Sequence, residues 1–207
     1  MKILNLYAGI GGNRKLWEDV QVTAVEIDPE IAEIYSGFYP DDTVIVDDAH
    51  QYLLEHYKEF DFIWSSPPCP SHSRIRKAAA LHGRYPAIYP DPTLWQEITL
   101  LEHFCRTKWV VENVNIYYEP VIEPAFKLDR HLFWSNFYAA PRDFKPREVA
   151  HEYINGSNHK VFGVDLSGFN ISDKRRVLRN MVNPEVGEYI LNVAMDWEIK
   201  RTQMEMF

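Results

Sequence analysis

Short apolar runs recur at residues 2–7, 22–27, 43–46, 60–64 and 108–111, with helix signals between them. Residues 13–19 read as the start of a helix. Residues 29–38 read as a full one, opened by Asp28 as a cap and Pro29 in the first turn. Residues 49–57 and 93–105 are also helical, the latter with Leu94, Ile98, Leu101 and Cys105 near helical spacing. A chain that alternates strand and helix in this way must return each new strand to the same end of a sheet. The alternation therefore predicts an α/β fold, a doubly wound parallel sheet with right-handed crossovers. Residues 66–92 read as a long loop.

Beyond about Pro120 the pattern changes. Residues 131–138 read as a strand pair or one long strand. Residues 139–179 are mixed, broken by Pro141, Pro146, Gly156, Gly163 and Gly168, and residues 184–197 form a last helix with Val186, Tyr189, Ile190, Val193 and Trp197 on one face. The expected division is a core over 1–138, a small module over 139–179 and a closing segment over 180–207. A chain of 207 residues, 46% hydrophobic, can bury one full core. No apolar run approaches the ~20 residues that span a bilayer, and the apolar start lacks the features of a signal peptide. Cys69 and Cys105 lack metal-ligand spacing, so no metal is expected and reduced thiols in a cytoplasmic protein are the simplest reading.

The net charge is −8, but it is unevenly spread. Residues 1–71 carry 4 basic and 13 acidic side chains, whereas 72–90 carry Arg74, Arg76, Lys77 and Arg84 and no acid. Residues 127–180 carry 10 basic and 6 acidic side chains. Charge attraction is local, screened beyond roughly 8 Å, so an acidic chain can still present a basic face to a polyanion.

Ligands of an open parallel sheet bind beyond the carboxyl ends of its strands, and the polar segments of this chain fall there. Tyr7-Ala8-Gly9-Ile10-Gly11-Gly12 follows the first strand; its glycines allow close backbone approach, and a helix N-terminus would point donors at a ligand. It is not the dinucleotide fingerprint, because Arg14 stands in the third glycine position. Glu26-Ile27-Asp28 ends the second strand, where a carboxylate can accept two bonds from a ribose diol. Asp47-Asp48 ends the third, where Asp48 suits either an adenine amino group or a helix cap. Ser65-Ser66-Pro67-Pro68-Cys69-Pro70-Ser71-His72-Ser73 ends the fourth. There, prolines hold Cys69 at the sheet edge, and the basic residues just beyond favour its thiolate. Glu112-Asn113-Val114 ends the fifth and supplies a carboxyl group for acid–base work on a ring nitrogen.

Taken together and in order, these segments resemble the DNA (cytosine-5) methyltransferase family. Residues 7–12 look like its cofactor loop, where phenylalanine is commoner at the Tyr7 position. Glu26 matches its ribose-binding acid, with Ile27 beside it, and Asp48 its adenine-binding acid. Pro68-Cys69, with Ser73 four residues on, looks like its catalytic loop, with Pro70 in place of glutamine, and the resemblance places Pro67, Asn180 and Val182 against the cofactor. Glu112-Asn113-Val114 matches its substrate-binding triplet. Asn180-Met181-Val182-Asn183-Pro184 resembles its closing motif, with Arg179 in a glycine place and Asn183 in a proline place. In the family's Arg-x-Arg position the chain offers Asp129-Arg130-His131, and either Arg130 or His131 could hold the base.

The resemblance implies a Rossmann-like fold and S-adenosyl-L-methionine as cofactor, with S-adenosyl-L-homocysteine as product. It implies cytosine in DNA as substrate, flipped from the helix, Cys69 as nucleophile, and Ser73, Arg74, Arg76 and Lys77 against phosphates. It also implies a reduced target-recognition region at 139–179, no membrane partner, and the cytoplasm of a bacterium or of a phage's host. RNA as substrate, an oligomer and a partner subunit all remain open. An amino-methyltransferase would explain Ser66-Pro67-Pro68, but Cys69 stands where that class stacks an aromatic ring. A silent regulatory subunit would need neither Cys69 nor Glu112.

Overall fold

The computed structural model describes residues 1–144 and 160–205. Five parallel strands form its centre: β1 (Lys2–Leu6), β2 (Gln21–Glu26), β3 (Thr43–Val46), β4 (Phe62–Ser65) and β5 (Lys108–Val114). A hairpin of β6 (Phe126–Leu128) and β7 (His131–Ser135) adds β7 antiparallel to β5. Among the described residues the sheet order is β3-β2-β1-β4-β5-β7-β6. The direction of winding reverses between β1 and β4, which opens a crevice at their carboxyl ends.

Strands covered on both faces must be apolar throughout, and the central ones are. Ile3, Phe62, Trp64, Val110 and Phe133 face α6 (Pro184–Glu205) through its Val186, Ile190, Leu191 and Ala194. Leu4, Leu6, Ile63 and Val111 face α2 (Ala49–His56) and α4 (Thr93–Phe104) through Leu53, Leu94, Ile98 and Leu101. Between β2 and β3 runs α1 (Pro29–Phe38), capped by the Asp28 carboxylate on the Glu30 amide at 3.0 Å. No described helix is long and apolar enough to cross a membrane.

Three expectations need correction. Residues 13–19 form turns, not a helix. Their side chains are committed to distant partners: Arg14 makes a two-pronged ion pair with Asp42 at 2.8 and 3.0 Å, and the Asn13 amide donates to Asn5 at 2.8 Å. The residue 66–92 loop contains a helix, α3 (Arg74–Leu81), capped by Ser73 on the Arg76 amide. The strand at residue 131 ends at Ser135 and takes its hairpin partner from upstream, Phe126–Leu128. The last helix runs on to Glu205, and the Trp197 side chain lies outside the described part, as do residues 145–159 of the expected recognition region. The described remainder of that region holds a small hairpin of β8 (Lys160–Val161) and β9 (Val164–Asp165), followed by α5 (Lys174–Asn180). Val161, Val164 and Leu166 pack with Ile10, Ile34, Leu178 and Met181.

The start of α6 lies directly on the turn that replaces the first helix. A β-carbon built on Gly187 would sit 2.2 Å from the Asn13 carbonyl oxygen, so backbone meets backbone here. Gly187→Ala is therefore expected to destabilise the fold by about 1–3 kcal/mol, the scale of overpacking. For a chain of this size that lowers Tm by roughly 2–12 °C. An unchanged calorimetric Tm would mean that α6 does not make this approach.

Candidate active site

The register puts the ends of the strands on one level: Leu6 pairs with Val25 and with Ser65, Glu26 with Val46, and Ser65 with Val111. Val25 in turn pairs with Ile45, so Tyr7, Glu26, Val46, Ser66 and Glu112 are the first residues past that level. β5 outlasts β4 by three residues, and there Glu112, Asn113 and Val114 pair only with β7. This overhang shapes the thiol end of the crevice.

Side chains alternate along β5, so Glu112 lies on the α6 face and Asn113 on the α4 face. The Asn113 amide, fully buried, donates to the Pro67 carbonyl at 3.0 Å and ties the Cys69 loop to the overhang. The far side of that loop is clamped as well. The His72 carbonyl accepts from the Tyr117 amide at 3.2 Å, and His72 Nδ1 lies 2.5 Å from the Tyr118 hydroxyl. Cys69, next to Pro68, is half-buried between these two clamps.

Glu112 and His131 are diagonal neighbours on one sheet face, with Nε2 and Oε1 3.4 Å apart and both residues buried. Arg130 donates to the Arg179 carbonyl at 2.8 Å. Burial, and then the Glu112 charge, push the Cys69 thiol up to about 11, against the downward pull of Arg130 and Arg179. The expectation that basic neighbours favour the thiolate is therefore corrected: desolvation and a carboxylate outweigh them.

At the other end of the crevice, Glu26 accepts from the Gly9 amide at 2.9 Å and from the Asp28 amide at 3.1 Å. Gly9 has φ +55, and a β-carbon there would meet open space. Gly11 and Gly12 differ: side chains there would strike the Tyr39 ring at 2.3 Å and the Val182 carbonyl at 2.6 Å. Of the expected cofactor glycines, only Gly9 lies open; the other two make room for protein. With no helix following, the donors expected from a helix N-terminus are absent from this loop. Ala8 holds the loop down by donating its amide to the Val25 carbonyl at 3.0 Å. Ile27 and Val46 stand exposed beside Glu26 and Asp48. The Asp48 carboxylate caps α2 through the Gln51 amide at 3.0 Å. Asn180 ends α5, Val182 is buried against Gly12, and Asn183 caps α6 through the Glu185 amide at 3.1 Å.

The basic residues past Cys69 are more occupied than a phosphate grip requires. Ser73 caps α3, and Arg74 Nε donates to the Ile116 carbonyl at 3.1 Å. The Arg76 guanidinium lies 4.1 Å over the Tyr85 ring and the Lys77 ammonium 4.9 Å over Tyr117.

Sequence reading missed Glu97. Fully buried on α4, it accepts from the Tyr7 hydroxyl at 2.6 Å and from the Ser65 hydroxyl at 2.5 Å, and meets His50 Nδ1 at 3.1 Å. One carboxylate thus joins the loop after β1, the end of β4 and α2. Tyr7 adopts φ +54, a strained value for a side-chain-bearing residue, which this bond helps hold. The only local sign of Glu97 was an acid inside an apolar helix face. The hydrogen bond to Glu97 raises the His50 pKa above its usual value. The His50–Glu97 link should be at full strength below about pH 6.5, the unperturbed histidine value, and weaken as pH rises through the raised value. An NMR titration of His50 should show the elevation in wild type and lose it in Glu97→Gln.

The model of the C-5 cytosine-specific DNA methylase family matches residues 1–119, from β1 through β5. The chain belongs to this family. Among solved structures, this cytosine methylase family member is similar to a mutant of DNMT2 from Spodoptera frugiperda, at 25% identity over 55% of this chain and 35% of that one, with a TM-score of 0.38. It is also similar to the Entamoeba histolytica methyltransferase EhMeth (16% identity, 58% of this chain and 40% of that one, TM-score 0.38). A third similar structure is the putative methyltransferase yhhF of Escherichia coli (16%, 65% and 74%, TM-score 0.41). The first two alignments span well under half of those chains. No curated protein matches the chain.

Proposed function

We propose that this protein transfers a methyl group from S-adenosyl-L-methionine to carbon 5 of cytosine in DNA, through a covalent adduct between Cys69 and the flipped base. The observation that carries the reading is that a half-buried thiol and a buried carboxylate, Cys69 and Glu112, follow the ends of the adjacent strands β4 and β5 in a chain of the cytosine methylase family.

The donor set at the β1–β3 end fits an adenosyl cofactor. Glu26 suits the ribose diol, open space over Gly9 admits the ligand, Ile27 and Val46 suit the faces of a heteroaromatic ring, and Asp48 can reach its amino group. When bound, the cofactor supplies an electrophilic methyl group. Glu26→Ala is expected to weaken its binding by about 1.5–3 kcal/mol, the scale of lost charge-assisted hydrogen bonds. It also frees the Gly9 amide, so Glu26→Gln, which keeps one acceptor, should lose less. Calorimetric titration checks both, and equal affinities in folded variants would remove Glu26 from the cofactor site.

At the thiol end, Cys69 Sγ bonds to ring carbon 6 while its proton passes to ring nitrogen 3, where Glu112 accepts a hydrogen bond and His131 steadies the carboxylate. Carbon 5 becomes nucleophilic and accepts the methyl group. Its proton then leaves to solvent, the carbon–sulfur bond breaks, and the nitrogen 3 proton returns to the thiolate. A thiol with a raised pKa suits this order, because nucleophile and base are activated together. Pro67, Pro68 and Asn113 hold the loop at attack distance. Residues 139–179 are assigned to target recognition, and 180–207 to closing the core. Nucleoside mass spectrometry after incubation with labelled cofactor and separate DNA and RNA substrates tests the reading. Label on 5-methylcytosine in DNA is expected, and label on an exocyclic amine would overturn it.

A further inference from the structure

The loop after β1 is wound in a conformation that most residues avoid. Alternate residues, Tyr7, Gly9 and Gly11, take φ +54, +55 and +75. Such a backbone persists only where its surroundings impose it. Each of the three positions is met by a side chain from a distant element. Glu97 accepts from the Tyr7 hydroxyl, and Glu26 accepts from the Gly9 amide. At Gly11 the Tyr39 hydroxyl donates to the carbonyl oxygen at 2.8 Å, and the same ring fills the space that a β-carbon would need.

Tyr39 follows the last turn of α1, with its amide on the Tyr35 carbonyl at 2.9 Å. Its ring is flanked by the Tyr35 ring, 4.8 Å away between centroids, and by the Arg14 guanidinium, 5.3 Å from the ring centre. One carboxylate fixes both neighbours. Asp42 accepts the two-pronged bond from Arg14, and the Tyr35 hydroxyl donates to its Oδ2 at 2.9 Å. The Asp42 side chain is only 2% exposed, so water competes little for these bonds. A helix over residues 13–19 would have fixed the exit of the loop through its own backbone bonds. Those residues form turns, and the hold on the loop falls to side chains.

We propose that Tyr39 and Asp42 are positioning residues of the cofactor site. Tyr39 sets the Gly11 carbonyl and with it the open backbone at Gly9, and Asp42 acts through Arg14 and Tyr35 on the Tyr39 ring. Both work on the loop and not on the cofactor itself. This role presupposes the reading of residues 7–12 as the cofactor loop. A loop that is in its binding shape for only part of the time lowers the apparent affinity by that fraction.

The test combines calorimetric titration with S-adenosyl-L-methionine and hydrogen exchange of the peptide spanning residues 7–12. Wild type, Tyr39→Phe, Asp42→Asn and the double variant are compared. Tyr39→Phe keeps the ring in the Gly11 space and removes only the hydroxyl. Its Kd should rise about three- to ten-fold, the scale of one hydrogen bond. In the free protein the loop should exchange faster while the sheet does not, and saturating cofactor should return it to the wild-type rate. Asp42→Asn should show the same pattern. The double variant should lose less than the product of the two single losses, because both residues act along one path. If Asp42→Asn does not fold, Tyr35→Phe, which removes a donor from the same carboxylate, takes its place. Unchanged affinity in folded Tyr39→Phe, faster exchange spread over the whole sheet, or a double loss equal to the product would overturn the positioning role and leave the cofactor reading standing. A wild type that does not bind S-adenosyl-L-methionine would overturn both.

Discussion

Cys69→Ser is expected to reduce methyl transfer by roughly a thousand-fold or more, the scale seen when a covalent nucleophile is removed, while cofactor affinity stays nearly unchanged. Serine fits where the thiol stood, so the clamps from Asn113 and His72 persist and the loop keeps its shape. A hydroxyl is a far weaker nucleophile, and the same burial and the same Glu112 charge oppose its ionisation. Wild type should form a covalent complex with a 5-fluorocytosine oligonucleotide, because fluorine cannot leave as the carbon-5 proton does, and the variant should form none. Denaturing electrophoresis and intact-mass measurement read the outcome. A trapped complex of equal yield in Cys69→Ser would show that another group attacks the base.

Glu112→Gln should move two readouts in opposite directions. Turnover should fall by about 10²–10⁴, the range for loss of a positioned acid–base group. The Cys69 thiol should become easier to ionise, because the nearby negative charge that disfavours the thiolate is gone. The sign follows from the raised value. In wild type the thiol stays protonated at neutral pH, and alkylation should accelerate only as pH climbs toward about 11. In the variant that profile should shift to lower pH. Iodoacetamide modification mapped by mass spectrometry, in a Cys105→Ser background, measures this without any substrate. A variant that loses turnover but keeps the wild-type alkylation profile would place Glu112 away from the thiol. A generally damaged fold would not produce the combination of slower turnover and a more reactive thiol.

The structure also alters how the loop past Cys69 is to be understood. Arg74 and Arg76 looked like free cations available to phosphates. One is tied to the Ile116 carbonyl and the other lies on the Tyr85 ring. Their first effect is to hold a helix that buries nothing.

What the sequence determined by itself is local or periodic. The apolar runs of β1–β5 are contiguous, so a parallel sheet buried on both faces was legible, as was the helix opened by Asp28 and Pro29. The polar segments sit at strand ends, so their assembly along one edge followed from the alternation. The α3 helix also had a local sign, Ser73 before an alanine-rich stretch, but it lacks the apolar periodicity that marks a packed helix. Tertiary structure decided the rest. Residues 13–19 carry helix-compatible side chains, yet Asp42, Asn5 and Gly187 hold them in turns. Glu97 became the tie of the cofactor loop through Tyr7, His50 and Ser65, none of them near it in sequence. The thiol was pushed up because the sheet order sets Glu112 beside Cys69 in a place water reaches poorly. Propensity and strand ends are properties of neighbouring residues. The partner of a buried charge, and the sign of a pKa shift, depend on which distant strands lie side by side.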